Sequence, residues 1–197
     1  MRKESGSSGV LGSAYEWLDS IVTAMVLVVV LFTFVFGIVS VKGTSMENTF
    51  MDTDKVIISN MFYTPQKGDV VIVSLNHTND DSLSAQQDED QRIIKRIIAV
   101  GGQKVRIDFD KGIVYVDGIA QDEPYTKTPT TLKYDLDFSE DVTVPEGHVF
   151  VMGDNRNGSI DSRSSEIGMI DQRYILGKVL FRFYSDKDYF SRFGPVS

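Results

Sequence analysis

The 197-residue chain contains no cysteine. That excludes disulfides, thiolate catalysis and Cys-ligated zinc, and it suits an exported domain that folds without oxidation. Histidine is scarce too: His77 and His148 are the only two, which leaves little for a metal site, and none is expected. His77 lies in a polar stretch and reads as exposed. His148 follows Pro145-Glu146-Gly147 and reads as a turn or surface residue. Basic charge is also short, with 20 Lys+Arg against 28 Asp+Glu and a net charge of −8. An acidic chain lacks the electrostatic footprint of nucleic-acid binding, so no nucleic-acid partner is expected. There is no internal repeat, and no long 3.6-residue period follows residue 41.

What the chain does have is a 21-residue uncharged run, Ile21 to Val41, between Asp19 and Lys42. As a helix it would reach roughly 31 Å, close to the ~30 Å hydrocarbon core of a bilayer. Signal-peptide h-regions are shorter, at ~7–15 residues, and core helices are seldom so uniformly apolar. The run therefore predicts a single transmembrane helix over 21–41, with a tail at 1–20 and one domain at 42–197. Arg2 and Lys3 place the tail in the cytoplasm and the domain outside it. Residues 1–12, rich in Ser and Gly, read as disordered, and Tyr15 and Trp17 as an interfacial anchor.

Beyond residue 41 the pattern is β. Val56–Ile58, Val70–Val73, Ile93-Ile94, Ile97–Val100, Val105–Ile107, Val149–Val151 and Val179–Phe181 read as strands. Ile113–Val116 runs into the hairpin dipeptide Asp117-Gly118. Asn76–Asp90 and Asp122–Asp141 read as a solvated loop and a long connection. The fold class expected is mainly β: one membrane helix carrying an all-β domain.

Three places could carry chemistry. Ser45, in Gly43-Thr44-Ser45-Met46, stands four residues past the apolar run, but a serine needs a base to become a nucleophile. Lys95 lies within Arg92-Ile93-Ile94-Lys95-Arg96-Ile97-Ile98. On a strand it shares a face with Ile93 and Ile97, and Arg96 lies on the other face with Ile94 and Ile98. A lysine there is either a desolvated base or an edge-strand residue that snorkels to water. To be half neutral at pH 7 its pKa must drop by ~3.4, roughly 4.6 kcal/mol of environmental penalty. The third place is Gly153-Asp154-Asn155-Arg156-Asn157-Gly158-Ser159-Ile160-Asp161-Ser162-Arg163. It reads as a hairpin loop with an Asp–Arg pair or as a rigid frame for a catalytic group.

Together these segments resemble the bacterial type I signal peptidases. Gly43–Phe50 resembles their nucleophile box, Gly68–Val73 the next strand box, Lys95–Gly102 the lysine box and Gly153–Arg163 the last box, in family order behind an apolar run. The chain departs at Asn48, where the family usually has Pro; at Phe50, often Leu; and at Ala99 and Gly101, usually Gly and Pro. Gly43 and the short domain are like the Gram-positive branch.

The resemblance implies a membrane-bound serine endopeptidase that removes signal peptides from exported preproteins after Ala-x-Ala. Ser45 would be the nucleophile and Lys95 the general base. Ser159 would orient Lys95, with Asp161 and Arg163 as a supporting pair and Asp154 and Arg156 framing the site. Ser45 and Gly43 would supply the oxyanion donors. Val41, Met46, Phe50, Ile93 and Ile94 would line the substrate pockets. No cofactor is implied. The partners would be preproteins and the lipid bilayer, with the protein a monomer near the secretion translocase.

Two enzyme rivals and one non-enzyme rival remain. Self-cleaving SOS-response repressors share a Ser–Lys dyad but lack a membrane span. Endoplasmic-reticulum signal peptidases have His where Lys95 stands. A membrane-anchored β-domain that only binds exported proteins would be indifferent to changes at Ser45 and Lys95.

Overall fold

Period-two patterning sets the architecture of most of the chain. The computed structural model describes residues 7–75, 92–184 and 194–196. In order, the elements are helix α1 (Ser7–Val35) and strands β1 (Phe36–Ser40), β2 (Lys55–Ser59), β3 (Val70–Ser74), β4 (Arg92–Val100), β5 (Lys104–Asp108), β6 (Ile113–Val116) and β7 (Ile119–Ala120). Then come β8 (Val142–Thr143), β9 (His148–Met152), β10 (Ile170–Asp171), a 3-10 turn (Gln172–Tyr174), β11 (Ile175–Tyr184) and β12 (Gly194–Pro195). The chain divides into two units, Met1–Gly37 and Ile38–Ser197.

In the first unit the helix begins at Ser7, inside the segment expected to be disordered. It ends at Val35, six residues before the apolar run does. Gly37 interrupts the run, and β-branched Ile38 and Val39 favour an extended chain, so its last residues form β1. Val41 joins the core of the second unit instead. The uncharged helical stretch from Ser20 to Val35 is therefore about 24 Å long. No helix among the described residues is long and apolar enough to cross a membrane. Ile21, Val22, Met25, Leu27, Val29 and Phe32 are all exposed, as are Tyr15 and Trp17.

The second unit is all β apart from the 3-10 turn, among the described residues. Its larger sheet runs β1-β2-β11-β3-β4-β9-β10, with β12 beside β11, and its smaller sheet runs β7-β6-β5-β8. Side-chain alternation distributes the core. On β3, Val70 and Ile72 pack with Val41, Met46, Phe50, Val56 and Ile94. Val71 and Val73 point the other way, to Ile97, Val149, Val151 and Ile170. On β9, Phe150 and Met152 turn toward Val105, Ile107, Val114 and Val116 of the smaller sheet. The two runs read as separate strands around Lys95 are one strand, β4, whose pairing with β9 slips between Ile97 and Ala99. Asp117 and Gly118 both adopt positive φ, as a tight hairpin between β6 and β7 requires.

Residues 122–141 hold no helix or strand, as the sequence suggests. The loop 76–90 with His77, and the C-terminal aromatics Tyr189 and Phe190, lie outside the described residues.

Candidate active site

Ser45 sits in a run of turns anchored by two buried side chains. Met46 and Phe50 are fully in the core, and the Met46 carbonyl accepts from Thr49 N–H at 3.0 Å and Phe50 N–H at 2.8 Å. Ser45, the residue before Met46, stays partly exposed. Asn48 takes φ 99° in this turn. Asn tolerates that left-handed region, whereas a proline ring, fixed near −65°, cannot enter it.

The polar loop after β9 holds the same turn from the other side. Asn155 N–H donates to the Ser45 carbonyl at 3.0 Å, and its side-chain amide donates to the Thr44 carbonyl at 3.1 Å. Gly153 makes that approach possible. A Cβ there would lie 2.5 Å from the Ser45 carbonyl oxygen and 2.3 Å from the Ser159 hydroxyl, so only glycine fits.

β4 brings the second group. Lys95 is 3% exposed, and its Nζ donates to Ser45 Oγ at 3.0 Å. No carboxylate lies within ion-pair distance of it among the described residues. Burial pushes the Lys95 pKa down to about 8; Asp161 opposes the shift, Arg163 assists it and Asp154 opposes it. The drop is smaller than half-neutrality at pH 7 would need, so about a tenth of Lys95 is neutral there. Snorkelling is excluded by the burial.

Beside this pair lies a cavity of about 210 Å³, lined by Val39, Val41, Ile72, Ile93 and Ile94, with Ser45 and Lys95 in its wall. Of the residues expected to contact substrate, Val41, Ile93 and Ile94 line it. Met46 and Phe50 do not, being buried in the core beneath the Ser45 turn.

The expected supporting residues assemble, with different partners for several. Asp161 and Arg163 form a fully buried pair, Nε to Oδ1 at 2.8 Å, and Asp161 also accepts from Gly153 N–H at 3.0 Å. Asp154 and Arg156 are not each other's partners. Asp154 takes two bonds of 2.9 Å from Arg96 and one from the Thr49 hydroxyl. Arg156 reaches Glu123 with two bonds of 2.6 Å, plus Thr130 at 2.8 Å. The Ser159 hydroxyl lies against the Gly153 backbone and points to the Ile160 carbonyl at 3.5 Å, not to Lys95. Gly43 N–H is committed to Asp52 at 2.8 Å. Ser45 N–H has no acceptor among the described residues.

Arg96, Glu123, Asn155 and Thr49 were not singled out by sequence reasoning. Arg96 could have been, because an arginine between Ile94 and Ile98 on a buried face demands a carboxylate. Among the described residues, no group of three or more His, Asp or Glu could hold a metal ion.

The chain is similar to known proteins along most of its length. Residues 14–184 match the family described as signal peptidase, peptidase S26. Signal peptidase IB of Staphylococcus aureus strain Mu50 is 33% identical over 196 residues, spanning 91% of this chain and 94% of the relative. Signal peptidase I of Bacillus licheniformis is 32% identical over 190 residues, spanning 92% and 94%. A crystal structure of a signal peptidase I from Enterococcus faecalis V583 is 27% identical and covers 59% of this chain and 97% of its own, with a TM-score of 0.43. On the family match and the two curated relatives, the chain belongs to the S26 signal peptidases and is a serine endopeptidase of the signal peptidase I type.

Proposed function

We propose that this protein removes signal peptides from exported preproteins with Ser45 as nucleophile and Lys95 as general base, cutting after Ala-x-Ala. The observation that carries the reading is the 3.0 Å contact between Lys95 Nζ and Ser45 Oγ inside a site that disfavours the ammonium. Neutral Lys95 takes the hydroxyl proton as Ser45 Oγ attacks the scissile carbonyl. The oxyanion that forms is met by Ser45 N–H; Gly43 N–H can join only if it leaves Asp52. The Lys95 ammonium then protonates the leaving amine. A water activated by Lys95 hydrolyses the acyl-enzyme.

An extended substrate would add as a strand beside Ile93–Lys95, the part of β4 that β9 leaves uncovered, and the small cavity there suits small side chains. Asp161–Arg163 and Asp154–Arg96 hold the polar loop and β4 in register around the pair. The apolar run 21–41, of which only the part to Val35 is helical, attaches the protein to the membrane, with Tyr15 and Trp17 at the interface and the tail in the cytoplasm. The β unit then works outside the cell membrane, as a monomer near the translocase.

The test is cleavage of a purified preprotein with an Ala-x-Ala site by detergent-solubilised protein. The parent cuts at that site, while Ser45→Ala is inactive and Lys95→Ala is slower by at least about 100-fold. Cleavage near the parental rate by either folded variant would end the assignment.

A further inference from the structure

The connection 122–134 carries few apolar residues, yet it is tied to every part of the candidate site. Glu123 and Thr130 hold Arg156, and Tyr134 Oη donates to the Ser159 carbonyl at 2.8 Å. The Tyr125 ring lies 3.9 Å from the Arg96 guanidinium carbon, and Lys127 N–H donates to the Asp154 carbonyl at 3.0 Å. The same segment reaches the serine turn. Asn48 Nδ2 donates to the Tyr125 carbonyl at 2.9 Å, and Lys127 pairs with Glu47.

The Ser45 turn is thus gripped at both ends. Asn155 holds the carbonyls of Thr44 and Ser45, and Asn48 holds the exit of the turn. The Glu47–Lys127 pair is partly exposed on both sides and screened by salt. Asn48 differs because one side chain meets two demands. It adopts the left-handed backbone that carries the chain on to Thr49, whose hydroxyl is on Asp154, and it supplies the amide that reaches the Tyr125 carbonyl.

We infer that residues 123–127 form a clasp over the Ser45 turn and that Asn48 is its positioning residue, fixing the approach of Ser45 Oγ to Lys95 Nζ. The inference rests on the Ser45–Lys95 reading above. Asn48 touches no reacting atom; it acts through the turn it closes. A misplacement of the order of 1 Å in such a contact costs up to ~100-fold in rate, so releasing one end of the turn is expected to cost about tenfold.

Glycine separates the two demands, because Asn48→Gly keeps the backbone freedom and removes the amide. Asn48→Asp keeps the tolerance of positive φ but replaces the donor with a carboxylate that the Tyr125 carbonyl repels. Both variants are expected to lower kcat about tenfold with KM within about twofold of the parent. In Asn48→Gly the midpoint of the pH–rate profile should stay in place, because Lys95 remains as buried and no charge is added. Amide hydrogen exchange of Glu47, Thr49 and Phe50 should speed up in both, while exchange in β9 is unchanged. A global loss of stability would instead raise exchange in β9 as well and would overturn the positioning role. So would parental kcat together with parental exchange, or a rise in KM with kcat unchanged, which would make Asn48 a substrate contact. The exchange readout does not depend on turnover. A parent that fails to cleave, with variants that still show faster exchange at Glu47, Thr49 and Phe50, defeats the Ser–Lys reading and leaves the clasp standing.

Discussion

Lys95 and Arg96 are consecutive on β4, and both are buried, at 3% and 1% exposure. Their charges meet opposite treatment. Arg96 faces Asp154 with two bonds of 2.9 Å, a third to the Gly68 carbonyl at 2.8 Å, and the Tyr125 ring. Lys95 donates to one hydroxyl beside a cavity whose other walls include Val39, Val41, Ile72, Ile93 and Ile94 together with Lys42 and Arg92, and no carboxylate closes on it. Burial by itself does not make a base; burial with the counter-charge withheld does. The residue types match the roles. A guanidinium stays charged under any such treatment and serves as a bidentate tie, whereas an ammonium gives way and becomes a proton acceptor.

Breaking the paired side of the comparison should have the largest effect. Arg96→Met leaves Asp154 buried without its cation and is expected to destabilise the β unit by about 3–5 kcal/mol. A urea titration reads this directly, and an unchanged midpoint would mean that water replaces the pair. Altering the unpaired side should do the reverse. Lys95→Met removes a charge that the fold disfavours, so stability at pH 7 should rise by up to about 3 kcal/mol while processing is lost. The pH dependence has a definite sign. Between about 8, the folded value, and the ordinary lysine value near 10.4, the unfolded chain binds more protons. The parent's Lys95 contribution to stability therefore rises with pH through that window, and the penalty is fully present below it. A Lys95→Met protein should lack that rise.

Gly153 tests the joint between the two sides. Gly153→Ala drives a methyl into the Ser45 carbonyl and the Ser159 hydroxyl and should lower kcat by about 100-fold, near 2.7 kcal/mol. Single-turnover cleavage by a variant with an intact melt would show it. The smallest effect belongs to Glu47→Gln. Its pair with Lys127 is partly exposed, so the change should cost no more than about 1 kcal/mol, and less at high salt.

Much of this was legible in residue patterns. Short runs rich in β-branched residues in β3, β4 and β9 announced an all-β unit, and Asp117-Gly118 announced its hairpin. The boxes around Ser45, Lys95 and Gly153–Arg163 pointed to the candidate site, whose members the structure brings together. What stayed hidden was pairing across sequence distance. Asp154 and Arg156 are two residues apart and of opposite charge, yet Asp154 goes to Arg96 and Arg156 to Glu123, whereas Asp161 and Arg163, at the same spacing, pair with each other. β1 was hidden inside the apolar run, where its residues look as helical as their neighbours until Gly37. Met46 and Phe50 were apolar beside a nucleophile and so resembled pocket residues. The turn geometry sends both into the core.

The central claim is that withheld counter-charge turns Lys95 into the base. The direct measurement is the pH dependence of kcat/KM for preprotein cleavage from pH 6 to 10, for the parent and for Lys95→Ala. The account predicts a single rise centred near 8 in the parent and a fall of about 10²–10⁴-fold, with no such rise, in the variant. A parental profile flat across that range, or a Lys95→Ala protein that keeps the same rise, would contradict it.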